Sequence, residues 1–347
     1  MRNFTTYLTK QLNQLWYSKK KYWCYSFCLL SLLYQLIVFT RQKLYQLHIK
    51  KRTPFEIPII IVGNITVGGS GKTPLVIWLV DFLKAQGLKP GLVSRGYGGK
   101  IKDAPHSVFA NSSPKLVGDE AVMLVKITHC PMVVSNNRVA AVQQLIKNYD
   151  CNIIISDDGL QHYALQRSLE IAVIDGERQL GNGWCLPIGP LREPPSRLKT
   201  VDFIVINENQ QECIAKCGTY KLTYRMNLHC GDIYNLKHSE KKLNLSTLKN
   251  QTIHAVAGIG HPQRFFDTLK NLLKDLNINI ITHKFPDHYS YTKKDIVFLG
   301  PTPVILTEKD AVKCRYFAND NVWCLPVIAH LEEAFSVDLK KKLSIFL

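Results

Sequence analysis

The stretch Ile59-Ile-Ile-Val-Gly-Asn-Ile-Thr-Val-Gly-Gly-Ser-Gly-Lys-Thr-Pro74 ends an apolar run in a glycine cluster closed by Gly71, Lys72 and Thr73. Residue types in that order suit phosphate chemistry. Backbone N–H groups of a glycine-rich turn, here Thr66, Val67, Gly68, Gly69, Ser70 and Gly71, converge on phosphate oxygens; Lys72 reaches the β- and γ-phosphates and the Thr73 hydroxyl ligates Mg²⁺. A helix starting there adds the partial positive charge of its N-terminus. Thr66 stands where the strict motif has glycine, so the turn is expected to rest on Gly68, Gly69 and Gly71. A Gly-Lys-Thr also occurs in ordinary surface turns. The context favours a nucleotide site: a strand precedes it, and an apolar helix, Leu75 to Gln86 with Gly87 as its stop, follows.

Downstream, the apolar run Asn152 to Ser156 ends in Asp157-Asp158-Gly159, which has the form of a Walker B element holding Mg²⁺. Alone, Asp-Asp-Gly is a common turn. With a phosphate loop upstream, both halves of a metal site are present. Asp119, in Gly118-Asp-Glu120 at the head of a helical segment Ala121 to Ile127, and His288, in Phe285-Pro-Asp-His-Tyr289, can deprotonate a hydroxyl if the fold brings them together. Each also has a plainer reading, Asp119 as a helix cap and His288 as a surface histidine. Arg178 and Arg192, in the glycine- and proline-rich segment Arg178 to Pro195, either clamp an anion or lie on a solvated loop.

Positioning these residues requires an α/β core. From Pro58 to about Asn207, β-branched runs alternate with helical segments: Ile59 to Val62, Gly91 to Ser94, Met132 to Ser135, Asn152 to Ser156, Ile171 to Ile174 and Phe203 to Ile206. That pattern predicts a mostly parallel sheet, with ligands outside the carboxyl ends of its strands. A second series has strands at His254 to Ala257, Asn277 to Ile281, Pro303 to Leu306 and Val322 to Val327. Between the two, Glu208 to Asn250 is polar, and the alternation in Tyr220-Lys-Leu-Thr-Tyr224 suggests a ribbon. The expected organisation is an N-terminal helix within 1–50, a P-loop NTPase-like core over 51–207, a connecting ribbon over 208–250 and a smaller α/β lobe over 251–347.

The 347-residue chain carries 44 Lys and Arg against 27 Asp and Glu, a net charge of +17 that suits nucleic acid, an anionic membrane or a phosphorylated substrate. Zinc-finger spacing, an RNP-like aromatic motif and an arginine-dense helix are all missing, which disfavours nucleic acid. Ten scattered cysteines fit a reducing compartment rather than a small disulfide-framed domain. Cys213, Cys217, His229 and Cys230 lack the second close pair that would complete a zinc set. Tyr22 to Thr40 is uncharged and strongly apolar, flanked by Lys19, Lys20 and Lys21 on one side and by Arg41 and Lys43 on the other. It is just long enough to span a bilayer. Basic flanks on both sides favour a helix lying in the cytoplasmic interface among anionic headgroups, with a buried core helix as the other reading. The late start of the apolar run, with no small-residue cleavage site after it, disfavours a signal peptide.

Taken in order, Val62-Gly-Asn-Ile-Thr-Val-Gly-Gly-Ser-Gly-Lys-Thr-Pro74, Ser94-Arg-Gly-Tyr-Gly-Gly99, Gly118-Asp-Glu120, Ser156-Asp-Asp-Gly-Leu-Gln-His162, Leu186-Pro-Ile-Gly-Pro-Leu-Arg-Glu-Pro194, Gly258-Ile-Gly260, Phe285-Pro-Asp-His-Tyr289 and Leu306-Thr-Glu-Lys-Asp310 resemble the tetraacyldisaccharide 4′-kinase family of lipid A biosynthesis. The Thr66 departure is usual in that family, and Ala121 stands where it commonly has proline. The resemblance implies transfer of the γ-phosphate of ATP to the 4′-hydroxyl of a tetraacyldisaccharide 1-phosphate, with Mg²⁺, at the cytoplasmic face of the inner membrane. It assigns Lys72 and Thr73 to the phosphates and the metal, Asp157 and Asp158 to the metal, and Asp119 with His288 to the acceptor hydroxyl. Arg95, Tyr97, Arg138, Arg192 and Glu193 fall around the phosphates and the lipid headgroup. Two alternatives remain on sequence grounds: a kinase of another membrane-bound acceptor, and a nucleotide switch that recruits partners to the membrane. The missing Asn-Lys-x-Asp motif weighs against a GTPase-type switch.

Overall fold

The computed structural model describes residues 16–17, 28–101, 104–207, 222–297 and 302–346. Its strands in chain order are β1 (Ile59–Gly63), β2 (Pro90–Ser94), β3 (His106–Val108), β4 (Met132–Val134), β5 (Ile153–Asp157), β6 (Leu169–Asp175), β7 (Phe203–Asn207), β8 (Thr223–Cys230), β9 (Tyr234–Asn235), β10 (Thr252–Ala257), β11 (Asn279–Lys284), β12 (Val304–Thr307), β13 (Val322–Leu325) and β14 (Val327–Leu331). Short turns apart, the described helices are α1 (Cys28–Gln46), α2 (Lys72–Ala85), α3 (Asp119–Thr128), α4 (Arg138–Asn148), α5 (Pro262–Leu272), α6 (Glu308–Cys314) and α7 (Glu333–Leu343). Two compact units share them. One comprises Met1–Lys72, Cys151–Asn227 and Leu331–Leu347, the other Thr73–Asp150 and Leu228–His330. The units are thus assembled from separated stretches, whereas the expected segments ran consecutively.

In the first unit five parallel strands lie in the order β8, β7, β6, β1, β5. β1 is hydrogen-bonded on both edges and buried throughout, which is why Ile59 to Val62 is an unbroken apolar run rather than an alternating one. Its register sets Val62 opposite Asp157 on β5 and Gly63 opposite Ala172 on β6. Because the strands are parallel, Gly63, Asp157, Asp175 and Asn207 all end them at one edge. Part of the expected ribbon is corrected here: Thr223–Cys230 is a sheet strand paired with β7, its alternation burying Tyr224 and Met226 on one face. Tyr220, Lys221, Cys213 and Cys217 lie outside the described residues, as do Lys19 to Lys21 and the apolar run from Tyr22 to Phe27.

Helix α1 runs past the apolar stretch to Gln46, and three of its polar side chains have partners in the same unit. The Ser31 hydroxyl donates to the Cys185 carbonyl at 2.8 Å, the Tyr34 hydroxyl to the Arg192 carbonyl at 3.0 Å, and the Gln42 amide to Glu193 at 2.9 Å. The opposite face carries Leu29, Leu30, Leu32, Leu33, Leu36, Ile37 and Phe39, each between 50% and 76% exposed. That inverts the usual amphipathic arrangement of a helix on a soluble core. No described helix is long and apolar enough to cross a membrane.

The second unit pairs β2 with β4 in parallel and β3 with β4 antiparallel. It also holds a five-stranded sheet in the order β11, β10, β12, β13, β9, parallel except for β9. Ile253, Ala255, Ala257 and Ile305 pack there against Phe265, Phe266 and Leu269 of α5. The expected strand Val322 to Val327 is two strands, since Pro326 has no N–H with which to continue the ladder. β11 begins two residues later than expected because Asn277 takes the left-handed conformation, φ 48°.

In the first unit Glu170 is held between two nearly buried guanidiniums, with Arg167 Nη1 at 2.6 Å and Arg197 on the same oxygen. Removing one partner of a buried ion pair leaves the others uncompensated. Glu170→Ala is therefore expected to lower the unfolding free energy by about 3–5 kcal/mol, read as a fall in the midpoint of urea unfolding.

Candidate active site

The turn between β1 and α2 is shaped by two residues in the left-handed region, Gly68 (φ 101°) and Gly71 (φ 88°). Gly69 is not one of them, so the expected three-glycine turn rests on two. A Cβ at Gly71 would stand 2.3 Å from Asn207 Nδ2, and Asn207 itself donates to the Ser70 carbonyl at 3.2 Å. Asn64 spans the loop, its amide 3.3 Å from Thr66 Oγ1 and 3.4 Å from the Gly68 carbonyl. The Pro190–Arg192 segment knits it from outside: Val67 N–H donates to Pro190 and Arg192 N–H to Ile65. Arg178 lies beside this turn, with Nη1 3.3 Å from the position of a Gly68 Cβ, and its guanidinium covers the Tyr17 ring.

Asp157 closes β5 and is buried; Asp158 follows at φ 51°. Lys72 Nζ is 3.5 Å from Asp158 Oδ1, and Arg192 Nη1 donates to both Asp158 oxygens at 3.0 and 3.1 Å. Arg192 is thus tied to the acidic pair. Glu193 is 1% exposed, accepts from Gln42 and Gln161 at 2.9 Å, and lies 3.7 Å from Arg197 Nε. Burial pushes its carboxyl up, against the lowering effects of Arg197, Gln161, Gln42 and Arg41. Its surroundings are those of a fastening between α1 and the loop. Thr73 sits in the first turn of α2, directly after Lys72.

In the second unit Asp119 and His288 meet. Asp119 opens α3 behind Gly118, is 4% exposed, and accepts its neighbour Glu120 N–H at 2.9 Å. His288 Nδ1 stands 3.0 and 3.1 Å from its two oxygens. A proton on Nδ1, donated to this carboxylate, leaves the lone pair on Nε2, which stands 3.7 Å from Asp287 Oδ2, beyond hydrogen-bond distance. Burial pushes the Asp119 carboxyl up, but the His288 hydrogen bond and the charges of Lys309, His288 and Lys313 outweigh it and hold it below the usual range. Tyr97 lies 5.0 Å from the His288 ring by centroid, and a Cβ on Gly98 would approach His288 Nδ1 to 2.9 Å. Arg95 is exposed and donates to Asn136 at 3.2 Å, whereas Arg138 is 2% exposed and donates to the Ser135 carbonyl at 2.5 Å.

Some contributors went unrecognised in the sequence. Asn64 and Asn207 shape the phosphate loop, and an asparagine directly ending an apolar strand was the available signal. Lys309 and Lys313, spaced i,i+4 on α6, surround Asp119 although nothing in their own spacing points there.

A glycine turn joining a central parallel strand to a helix, an acidic pair closing the adjacent strand, and a carboxylate–imidazole pair define a P-loop phosphotransferase of the α/β class. Comparison with known proteins gives the particular kind. The chain belongs to the tetraacyldisaccharide-1-P 4′-kinase family, whose sequence model matches residues 24–344. A tetraacyldisaccharide 4′-kinase of Coxiella burnetii (strain RSA 331 / Henzerling II) is 50% identical over 314 residues, covering 90% of this chain and 89% of that one. The protein of the same name from Nitrosococcus oceani is 45% identical over 324 residues, covering 91% and 92%. The crystal structure of the "apo" form of LpxK from Aquifex aeolicus in complex with ATP superposes with a TM-score of 0.79 at 29% identity, covering 92% of this chain and 98% of that one.

The loop geometry separates its glycines. Gly71→Ala is strained by φ and by Asn207, whereas a Cβ at Gly69 meets nothing within 4 Å. Gly71→Ala is expected to weaken ATP binding by about tenfold or more and Gly69→Ala much less, as measured by calorimetric titration of the two folded variants.

Proposed function

We propose that this protein transfers the γ-phosphate of ATP to the 4′-hydroxyl of a tetraacyldisaccharide 1-phosphate at the cytoplasmic face of the inner membrane. The observation that carries this reading is the contact of His288 with the buried carboxylate of Asp119, a device for taking a proton from an acceptor hydroxyl. Phosphoryl transfer asks a protein mainly for positioning and charge compensation. The backbone of Thr66 to Gly71 cradles the phosphates and Lys72 neutralises charge on them. Thr73, Asp157 and Asp158 offer only oxygen donors, the set that suits Mg²⁺, and the side chain of Asp157 is buried at the strand end. When bound, Mg²⁺ neutralises charge on the β- and γ-phosphates.

Asp119 fixes the imidazole by its Nδ1–H, and His288 Nε2 receives the proton of the acceptor hydroxyl. Arg95, Tyr97 and Arg138, which share the second unit with this pair, serve the phosphorylated acceptor. Arg192 and Glu193 contribute through what they hold, Asp158 and Gln42. The exposed apolar face of α1 supports a role as an interfacial helix, since an acceptor with four acyl chains stays in the leaflet.

The test is transfer from γ-labelled ATP to a purified tetraacyldisaccharide 1-phosphate in detergent. The wild type labels the lipid; Asp119→Ala lowers kcat by about 10²–10⁴, and Lys72→Ala lowers it further because charge compensation dominates such reactions. ATP hydrolysis indifferent to the acceptor would discard the kinase reading in favour of a switch. Replacing Leu33 and Leu36 together by serine is expected to reduce co-sedimentation with anionic vesicles severalfold while ATP affinity stays unchanged; equal sedimentation of the two proteins would count against an interfacial α1.

A further inference from the structure

The carboxylate of Asp119 is surrounded by more than its histidine. Lys313 Nζ lies 3.7 Å from Asp119 Oδ2, too far for a hydrogen bond but close enough for its charge to act. The lysine is itself fixed. Its ammonium is 2.7 Å from Oδ1 of Asp310 and lies over the Tyr291 ring at 5.1 Å. Asp310 is fully buried, and its Oδ2 accepts the Gly258 N–H at 2.8 Å and the Thr307 hydroxyl at 2.7 Å. Thr307 in turn accepts the Asp310 N–H as the cap of α6. One turn earlier Lys309 reaches Glu120 at 2.9 Å and Asp287 at 3.1 Å. Around Asp119, then, four carboxylates (Asp119, Glu120, Asp287 and Asp310) face two lysines and His288. Lys309 and Lys313 both act on Asp119, Lys309 while paired with Glu120 and Asp287 and Lys313 while paired with Asp310; Asp287 also stands 3.7 Å from His288 Nε2.

We propose that Lys313 is a positioning residue for the transfer reaction: fastened by Asp310, it holds Asp119 ionised so that His288 keeps Nδ1 protonated and Nε2 free to accept a proton. This rests on the assignment of Asp119 and His288 to the acceptor hydroxyl, and it gives the Leu306-Thr-Glu-Lys-Asp310 and Gly258-Ile-Gly260 motifs a task. Capping and a backbone N–H lock Asp310, Asp310 locks Lys313, and Lys313 adds its charge to that of Lys309 in favour of the ionised Asp119. The sign is fixed whichever member of the pair takes up the proton. Loss of a nearby cation makes protonation easier, so the acid limb of activity must move to higher pH.

The experiment is the pH profile of kcat/KM for transfer to the tetraacyldisaccharide 1-phosphate, with wild type, Lys313→Met, Lys313→Arg and Asp119→Ala. Lys313→Met is expected to raise the acid limb by about one pH unit with unchanged ATP affinity, and Lys313→Arg to restore its position because the charge is kept. A lowered plateau with the limb unmoved, or an arginine variant displaced as far as the methionine one, overturns the proposal. Should Lys313→Met not fold, Lys313→Gln, which keeps a polar end against Asp310, gives the same comparison. Full activity in Asp119→Ala would instead remove the assignment on which the proposal rests, so the two failures are told apart.

Discussion

The parallel pairing of β1 between β5 and β6 is the constraint on which the first unit depends. Side chains alternate along a strand, so a slip of one residue would turn Asp157 to the other face of the sheet. The register that sets Val62 opposite Asp157 prevents this, and it is maintained by burial of Ile59, Ile60 and Ile61 on both faces. The phosphate loop can then leave β1 at the same edge. Its shape is completed by groups brought to that edge by the same sheet, Asn207 from the end of β7 on the Ser70 carbonyl and the Pro190–Arg192 backbone on Ile65 and Val67.

Two buried carboxylates show how surroundings divide labour between chemically similar groups. Glu193 has amides and a more distant guanidinium as partners, and burial prevails to push its carboxyl up. Asp119 has an imidazole hydrogen bond and two lysines, and these prevail over burial. The first fastens α1 to the loop through Gln42, and the second is held below the usual carboxylate range beside its histidine. Linkage follows from the depressed value: the stability that Asp119 contributes is present above its unfolded pKa and is lost as pH falls through the lower folded one. The charge that orients His288 is thus also one that the second unit depends on.

The parts legible in the sequence were those governed by local chemistry. A glycine turn after an apolar strand, an acidic pair ending the next one and an alternation of strands and helices name themselves, because backbone geometry and burial dictate residue type within a few positions. Long-range partnership was not legible. Nothing near His288 says that it faces Asp119, 169 residues away, and the i,i+4 spacing of Lys309 and Lys313 reads equally as a solvated face. The Thr223–Cys230 strand was obscured because its alternation is that of any half-buried strand; only its pairing with β7 puts it in the parallel sheet. Nor does the sequence around Arg192 name Asp158, 34 residues away, as its partner.

Helix α1 bears on the chemistry through bonds contained in one unit. Its polar residues hold the Cys185–Glu193 loop at Cys185, Arg192 and Glu193; the Arg192 side chain holds Asp158; and Asp158 lies beside Lys72. A helix whose apolar side chains face outward has no reason to pack by burial of that face, so its orientation is set by these hydrogen bonds. The polar contacts therefore do two things at once. They leave the apolar side chains of α1 exposed, and they tie the helix through Arg192 to the acidic residue at the phosphate loop.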